Sequence, residues 1–149
     1  MLLRDVLKNN YNVKLIKDCH ELFEKLYDAG KLHPNNLTII FELIKCTGHY
    51  GLEKQIRADF IPLCPKVCEI EVAEISAFRI KLKDFGHELC KPDLTAIDGL
   101  YNMPRRQYED AWCLIMDLED KGVIREGGLE NFIKKLRKHS LGHAAAKLH

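Results

Sequence analysis

The chain has no apolar run that approaches the roughly 20 residues a membrane-spanning helix needs. Its 149 residues carry a formal net charge of +1, so no overall field attracts nucleic acid or an anionic membrane. Near the N-terminus, Arg4 and Asp5 stand where a secretory signal requires an apolar segment. These absences predict a protein of the cytosol or the nucleus that has no membrane partner.

The sequence also lacks the paired ligands of a structural zinc site. Cys64 and Cys68 form one close pair in CPKVC, but no second cysteine pair accompanies them. His139 and His143 have the i, i+4 spacing of a metal-binding helix, yet the sequence places no third ligand beside them. We therefore predict no metal, no cofactor and no catalytic residue, and we expect the six cysteines to be free thiols.

An internal repeat is what the sequence does contain. Residues 18–56 align with residues 110–148 at a constant offset of 92 and without a gap. The identical pairs are Asp18 with Asp110, Leu22 with Leu114, Leu26 with Leu118, Asp28 with Asp120, Gly30 with Gly122 and Leu37 with Leu129. Apolar residues recur at spacings of three and four in both copies, which is the period of an amphipathic helix. Two copies of a helical module that share no catalytic residue indicate a binding protein.

The same periodicity predicts an all-α chain of two units. We place the first unit at 1–60, a linker at 61–73 and the second unit at 74–149. Pro62 and Pro65 interrupt any helix in the linker. The second unit contains a predicted helix over roughly 74–89 that has no counterpart in the first unit. We therefore expect six helices in the second unit and five in the first, which lacks its first helix.

Four short segments of the first unit resemble a known family. They are ELFEKL at 21–26, GKL at 30–32, PNNL at 34–37 and ELI at 42–44. Together they resemble the centre of a death effector domain, which has a leucine-rich fourth helix, a short turn and a Pro-x-Asn-Leu start to its fifth helix. The resemblance covers the first unit well and extends more weakly to the second unit through the repeat.

This resemblance implies both a fold and a function. Death effector domains are six-helix antiparallel bundles of the death fold, and a tandem pair resembles the prodomains of initiator caspases and the inhibitory proteins that mimic them. The chain contains no caspase-type Gln-Ala-Cys segment. The resemblance therefore implies a non-enzymatic adaptor or regulator in apoptotic or inflammatory signalling. Its expected partners are adaptors or initiator caspases that carry death effector domains, and homotypic self-association is also expected.

Both units depart from the family at its charge triad. The sixth helix of the family begins with Arg-x-Asp-Leu, and the matching positions in the first unit include His49, Gly51 and Leu52. In the second unit the nearest match is KHSL at 138–141, which also has no acid. We expect the triad to be absent from both units, which affects partner binding rather than the fold.

The second unit separates its charges between two predicted helices. The helix over 109–121 is acidic, and the helix over 129–139 is basic. Unlike surfaces of this kind suit head-to-tail association, which death-fold assemblies use. The candidate partner-binding residues are Glu109, Asp117, Asp120, Lys134, Lys135 and Lys138. Two helix faces that are merely solvated would produce the same pattern.

Two additional apolar faces predict how the units meet. Ile39 and Leu43 lie beside the core stripe of the first unit, and Trp112 and Met116 lie beside that of the second. Each pair has i, i+4 spacing, which places both residues on one face of a helix. If these two faces cover each other, the units form a rigid tandem. This predicted arrangement resembles that of tandem death effector domains. The alternative is that Trp112 completes the core of its own unit.

A different class of function is also compatible with the sequence. A small helical metal- or nucleic-acid-binding protein would use His139, His143 and the basic helix. That helix can contact phosphates, but no aromatic or groove-reading element accompanies it. The residues therefore favour a protein partner over nucleic acid.

Overall fold

A computed structural model describes residues 1–7, 15–60 and 66–149, without the side chains of residues 59 and 60. Across these residues the regular structure is helical and includes no strand. The one β-type contact described is an isolated bridge between His33 and Asn36. The prediction of an all-α chain is confirmed for this part of the molecule. None of its helices is long and apolar enough to cross a bilayer.

The chain divides into two compact units. The N-terminal unit spans residues 2–76, and the C-terminal unit spans residues 77–149 together with Met1. The division falls close to residue 74, where the sequence analysis starts the second unit. Cys64 and the two prolines of the predicted linker lie outside the described residues.

The N-terminal unit contains three α-helices among its described residues, namely α1 (Cys19–Asp28), α2 (Thr38–Thr47) and α3 (Gly51–Phe60). A short 3-10 helix follows at Val67–Glu69, and residues 2–7 form a turn. Phe41 and Ile44 of α2 pack with Val67 and Ile70 in one buried cluster. The described end of the predicted linker therefore contributes to the core of this unit.

A buried carboxylate holds the end of the N-terminal unit against α2. Glu42 is fully buried, and its two oxygens accept hydrogen bonds from the backbone N–H groups of Ala73 (3.1 Å), Glu74 (3.0 Å) and Ile75 (3.2 Å). These three donors replace the water that the carboxylate loses on burial. Without such partners a buried charge is costly. Glu42 therefore fixes the segment that leads out of the unit.

The C-terminal unit contains α4 (Ala77–Glu88), α5 (Lys91–Tyr101), α6 (Ala111–Asp120), α7 (Glu130–Lys138) and α8 (Gly142–Ala145), followed by a 3-10 helix at Ala146–Leu148. All of these elements contribute side chains to one hydrophobic core. Phe85 of α4 and Phe132 of α7 meet edge to face near its centre, with ring centroids 5.7 Å apart. α4 packs against α6, α8 and the final 3-10 helix.

Residues 77–149 therefore contain five α-helices, where the sequence analysis predicts six. The connection between α5 and α6 is not helical. The carboxylate of Asp98 accepts hydrogen bonds from the backbone N–H groups of Arg106 (3.2 Å) and Gln107 (2.9 Å) and from the side chain of Asn102 (2.7 Å). A side chain thus binds N–H groups that a helix would pair with carbonyls, which favours a loop.

The offset of 92 recurs in the backbone. α1 and α6 begin and end at corresponding residues. Each follows an aspartate N-cap, and N-caps of this kind satisfy backbone donors at the start of a helix. Asp18 accepts from the N–H of Glu21 and Asp110 from the N–H of Cys113, both at 2.8 Å.

The turns after these two helices also have the same geometry. Gly30 has φ +70° and Gly122 has φ +69°, a left-handed conformation that glycine adopts without a steric penalty. Before each turn a fully buried leucine, Leu26 or Leu118, accepts two backbone hydrogen bonds through its carbonyl oxygen. The lengths are 2.9 and 3.1 Å in the N-terminal unit and 2.9 and 3.2 Å in the C-terminal unit.

The correspondence continues through the second helix of each copy. α2 and α7 both follow a leucine N-cap, Leu37 or Leu129. After these helices a left-handed residue stands at equivalent positions, Gly48 with φ +74° and Ser140 with φ +63°. The two units therefore share a helix–turn–helix module at the level of backbone hydrogen bonds.

Candidate interaction surfaces

The charged residues predicted to bind a partner fall into two groups. Glu109, Asp120, Lys134 and Lys138 are exposed at the surface of the C-terminal unit. The other two, Asp117 and Lys135, are engaged inside the unit, as described below.

Asp117 lies at the centre of a polar network that joins α6 to the preceding loop. Its side chain is 9% exposed and pairs with Arg106 at 2.6 Å and with Lys121 at 2.8 Å. It also accepts a hydrogen bond from the hydroxyl of Tyr108. The side-chain amide of Asn102 donates to the same hydroxyl at 2.9 Å. Asp117 therefore stabilises its own unit and is not a free acidic contact.

The ionisation of the network follows from these contacts. Burial acts to raise the pKa of Asp117, but hydrogen bonds from Lys121 and Tyr108 outweigh it and hold that pKa below its ordinary value. Burial and the hydrogen bond to Asp117 raise the pKa of Tyr108 to about 12. In Asp98, burial is likewise outweighed by hydrogen bonds from Gln107 and Asn102, so its pKa is lowered. The carboxylates are charged and the phenol neutral at physiological pH.

Lys135 is also bound within the C-terminal unit. Its ammonium group donates to the carbonyl oxygen of Leu100 at 3.1 Å and lies 4.1 Å from the ring centroid of Tyr101. This cation–π contact joins α7 to the end of α5. Of the three lysines on α7 that are predicted to bind a partner, Lys134 and Lys138 are exposed.

The positions that correspond to the family's charge triad lie at the start of α3. His49, Gly51 and Leu52 are all exposed, and Gly51 is the first residue of the helix. The leucine side chain is 48% exposed. These positions are therefore accessible on the N-terminal unit.

The four residues predicted to join the units differ in burial. Ile39 is buried, whereas Leu43, Trp112 and Met116 are partly buried. Trp112 packs against the core of its own unit, and a Cβ atom at Gly86 would overlap the indole ring. This contact agrees with the alternative in which Trp112 completes the C-terminal core. Docking of the two units through these faces stays a prediction.

The N-terminal unit has an apolar groove that the sequence analysis does not identify. We call it the α1–α2 groove; it has a volume of about 750 Å³, and its apolar lining includes Phe23, Leu32, Leu37, Ile40 and Ile56. Phe23 is 43% exposed and the neighbouring Tyr27 is 58% exposed. Large apolar side chains that meet in one open concavity are typical of a binding surface.

Two histidines of the C-terminal end, His143 and His149, have protein partners. His143 lies 3.4 Å from a carboxylate oxygen of Asp93, and a ring nitrogen of His149 lies within hydrogen-bonding distance of Arg137. Among the residues that the structure describes, no three His, Cys, Asp or Glu side chains are grouped as metal ligands. The described cysteines, which exclude Cys64, are free thiols.

No protein-family model matches the chain, and no curated protein matches it significantly.

Proposed function

We propose that the chain is a non-enzymatic adaptor or regulator that binds other death-fold domains in apoptotic or inflammatory signalling complexes. The observation that carries this proposal is the helix–turn–helix module present in both units with matching caps and turns. It occurs in the segment whose sequence resembles the centre of a death effector domain. A module that is repeated in structure but shares no catalytic residue suits recognition of similar modules.

Charge on the C-terminal unit supports a head-to-tail mode of binding. Lys134 and Lys138 are exposed on α7, while Glu109 and Asp120 are exposed at the two ends of α6. Surfaces of opposite sign on one module allow the basic face of one molecule to meet the acidic face of the next. Because exposed charges are screened by ions, this association should weaken as salt increases.

The proposal is tested by capture of purified death effector domains from an adaptor and an initiator caspase on the immobilised full chain. We expect the double reversal Lys134→Glu with Lys138→Glu to abolish capture. The control reverses Lys54 and Lys91, which are also exposed and change the net charge by the same amount. Lys135 is left unchanged, because its contacts with Leu100 and Tyr101 support the fold.

Capture that is equal for both double variants would contradict the charged-surface mechanism. Capture of neither domain by the native chain, together with no self-association in sedimentation, would contradict the proposed function itself. The same preparations, assayed for bound metal and titrated with RNA at several salt concentrations, test the alternative in which His139, His143 and α7 bind metal or nucleic acid. Retained metal or salt-dependent RNA binding would favour that alternative.

A further inference from the structure

The α1–α2 groove corresponds to a face that is covered in the C-terminal unit. At the offset of 92, four residues that line the groove have counterparts in or beside the α4 contact. The pairs are His20 with Trp112, Tyr27 with Glu119, Ile40 with Phe132 and Ile56 with Leu148. The contacts of these counterparts show what belongs on such a face.

Two of the counterparts fix the ends of α4. Near its C-terminal end, Gly86 lies against the indole of Trp112, and the ring of His87 is 5.2 Å from the indole between centroids. Near its N-terminal end, Arg79 pairs with Glu119 at 2.7 Å in a buried ion pair. The direction of α4 across α6 is thereby defined.

The other two counterparts are apolar and buried by the same packing. Phe132 is 1% exposed and contacts Phe85 of α4. Leu148 is 3% exposed and lies in the 3-10 helix that packs against α4. Ile115, which corresponds to Phe23, is fully buried. The side chains that are buried here have half-exposed or open equivalents in the N-terminal unit.

We infer that the α1–α2 groove binds an amphipathic helix of a partner protein, in the position that α4 occupies in the C-terminal unit. α4 itself does not serve in this position, because it packs in the core of its own unit. The inference goes beyond the proposed function and rests on the internal repeat together with the contacts of α4.

The geometry of α4 defines the helix that fits. Its core-facing residues Phe78, Leu82 and Phe85 have i, i+4, i+7 spacing, which forms one apolar stripe on a helix. A helix that binds in the groove with the orientation of α4 has its N-terminal end beside Tyr27 and its C-terminal end beside His20. A basic residue in the place of Arg79 would then lie against the Tyr27 ring, where a cation–π contact is favourable.

The experiment uses a fluorescein-labelled peptide with the sequence of residues 75–89, ISAFRIKLKDFGHEL, as the probe for the intact chain. Fluorescence anisotropy should show saturable binding. A matched peptide that carries Phe78→Ala, Leu82→Ala and Phe85→Ala should bind at least about tenfold more weakly, since tenfold corresponds to 1.4 kcal/mol. Hydrogen exchange should show new protection in α1 and α2 when the native peptide is bound.

Variants of the chain assign the site. Phe23→Ala and Tyr27→Ala should each weaken peptide binding about tenfold or more, while Tyr50→Ala should change it less than twofold. Tyr50 is 52% exposed on the same unit and does not line the groove. Circular dichroism checks that each variant keeps its helical content. Because there are two groove variants, the test still holds if one of them fails to fold.

Three outcomes would overturn the inference. Absence of saturable binding to a monomeric chain means that the groove does not accept a helix with the apolar stripe of α4. Concentration-dependent dimers that Phe23→Ala dissociates mean that a second copy covers it. Equal loss of binding in the Tyr50 and Phe23 variants means that the peptide binds elsewhere. Failure to capture death effector domains would leave all of these measurements unaffected.

Discussion

The two copies of the helix–turn–helix module have the same backbone and different surroundings. In the C-terminal unit Ile115 is fully buried, whereas its counterpart Phe23 is 43% exposed in the N-terminal unit. Residues within the module, such as the aspartate caps and the left-handed glycines, determine its backbone conformation, and they do so in both units. Burial depends instead on which elements pack against it, and in the C-terminal unit α4 packs on the face that corresponds to the α1–α2 groove.

The largest test of this comparison is alanine at equivalent apolar positions. Phe132→Ala should lower the free energy of unfolding by about 3–5 kcal/mol, because Phe132 fills a closed core. Ile40→Ala at the matching position should cost less than about 2 kcal/mol, because Ile40 borders the open groove. Urea denaturation followed by circular dichroism measures both. Equal costs would mean that the two cores are equally closed.

A smaller effect is expected from the polar network around Asp117 in the C-terminal unit. Asp117→Asn should cost about 1.5–3 kcal/mol, the range for hydrogen bonds to charged groups, because it weakens the pairs with Arg106 and Lys121. The exposed Glu109→Gln is the control and should change stability by less than about 0.5 kcal/mol. If Asp117→Asn lowers the free energy of unfolding no more than the control does, the Asp117 network does not stabilise the unit.

The carboxylate of Asp117 is expected to make the free energy of unfolding depend on pH in a defined direction. The pKa of Asp117 in the folded chain lies below the ordinary value of about 3.9. Its stabilisation is therefore complete above that pH and is lost as the pH falls through the folded-state pKa. Asp117→Asn should flatten the decline in stability below about pH 4. A decline as steep as in the native chain would assign acid unfolding to other groups.

The smallest effects are expected at the second left-handed position of each module. Ser140→Gly should stabilise the C-terminal unit by up to about 1 kcal/mol, because a side chain in this conformation costs roughly 1–2 kcal/mol and glycine avoids that cost. Gly48→Ser should destabilise the N-terminal unit by a similar amount. Calorimetric midpoints of the two variants should shift in opposite directions. Shifts of the same sign would contradict the structural equivalence of these positions.

Much of the module could be predicted from the sequence. The repeat offset, the all-α class and the turns at Gly30 and Gly122 are local features, and each is set by residues close together in the chain. The unmatched helix over 74–89 is also evident in the sequence, and it is the signal that points to the α1–α2 groove. The groove itself becomes evident only when the contacts of α4 show which face that helix covers.

Other features depend on contacts between residues far apart in sequence. Glu42 has the pattern of a surface acid, but three backbone N–H groups from residues 73–75 bury it. Asp117 and Lys135 also have the pattern of solvated charges, yet Asp117 is buried against Arg106 and Lys135 is bound to the end of α5. Charge patterns along a helix do not reveal such partners, so the predicted binding face is larger than the exposed one.

Trp112 is the only tryptophan of the chain, and it lies in the C-terminal unit against Gly86 and His87. Its emission spectrum therefore reports the state of one unit, whereas far-ultraviolet ellipticity is summed over the helices of both. Denaturation curves recorded by the two signals would coincide if the tandem unfolds as one cooperative body and separate if each half melts alone. Because the single tryptophan lies in one unit only, its fluorescence makes the energetic coupling between the two units measurable without an added dye.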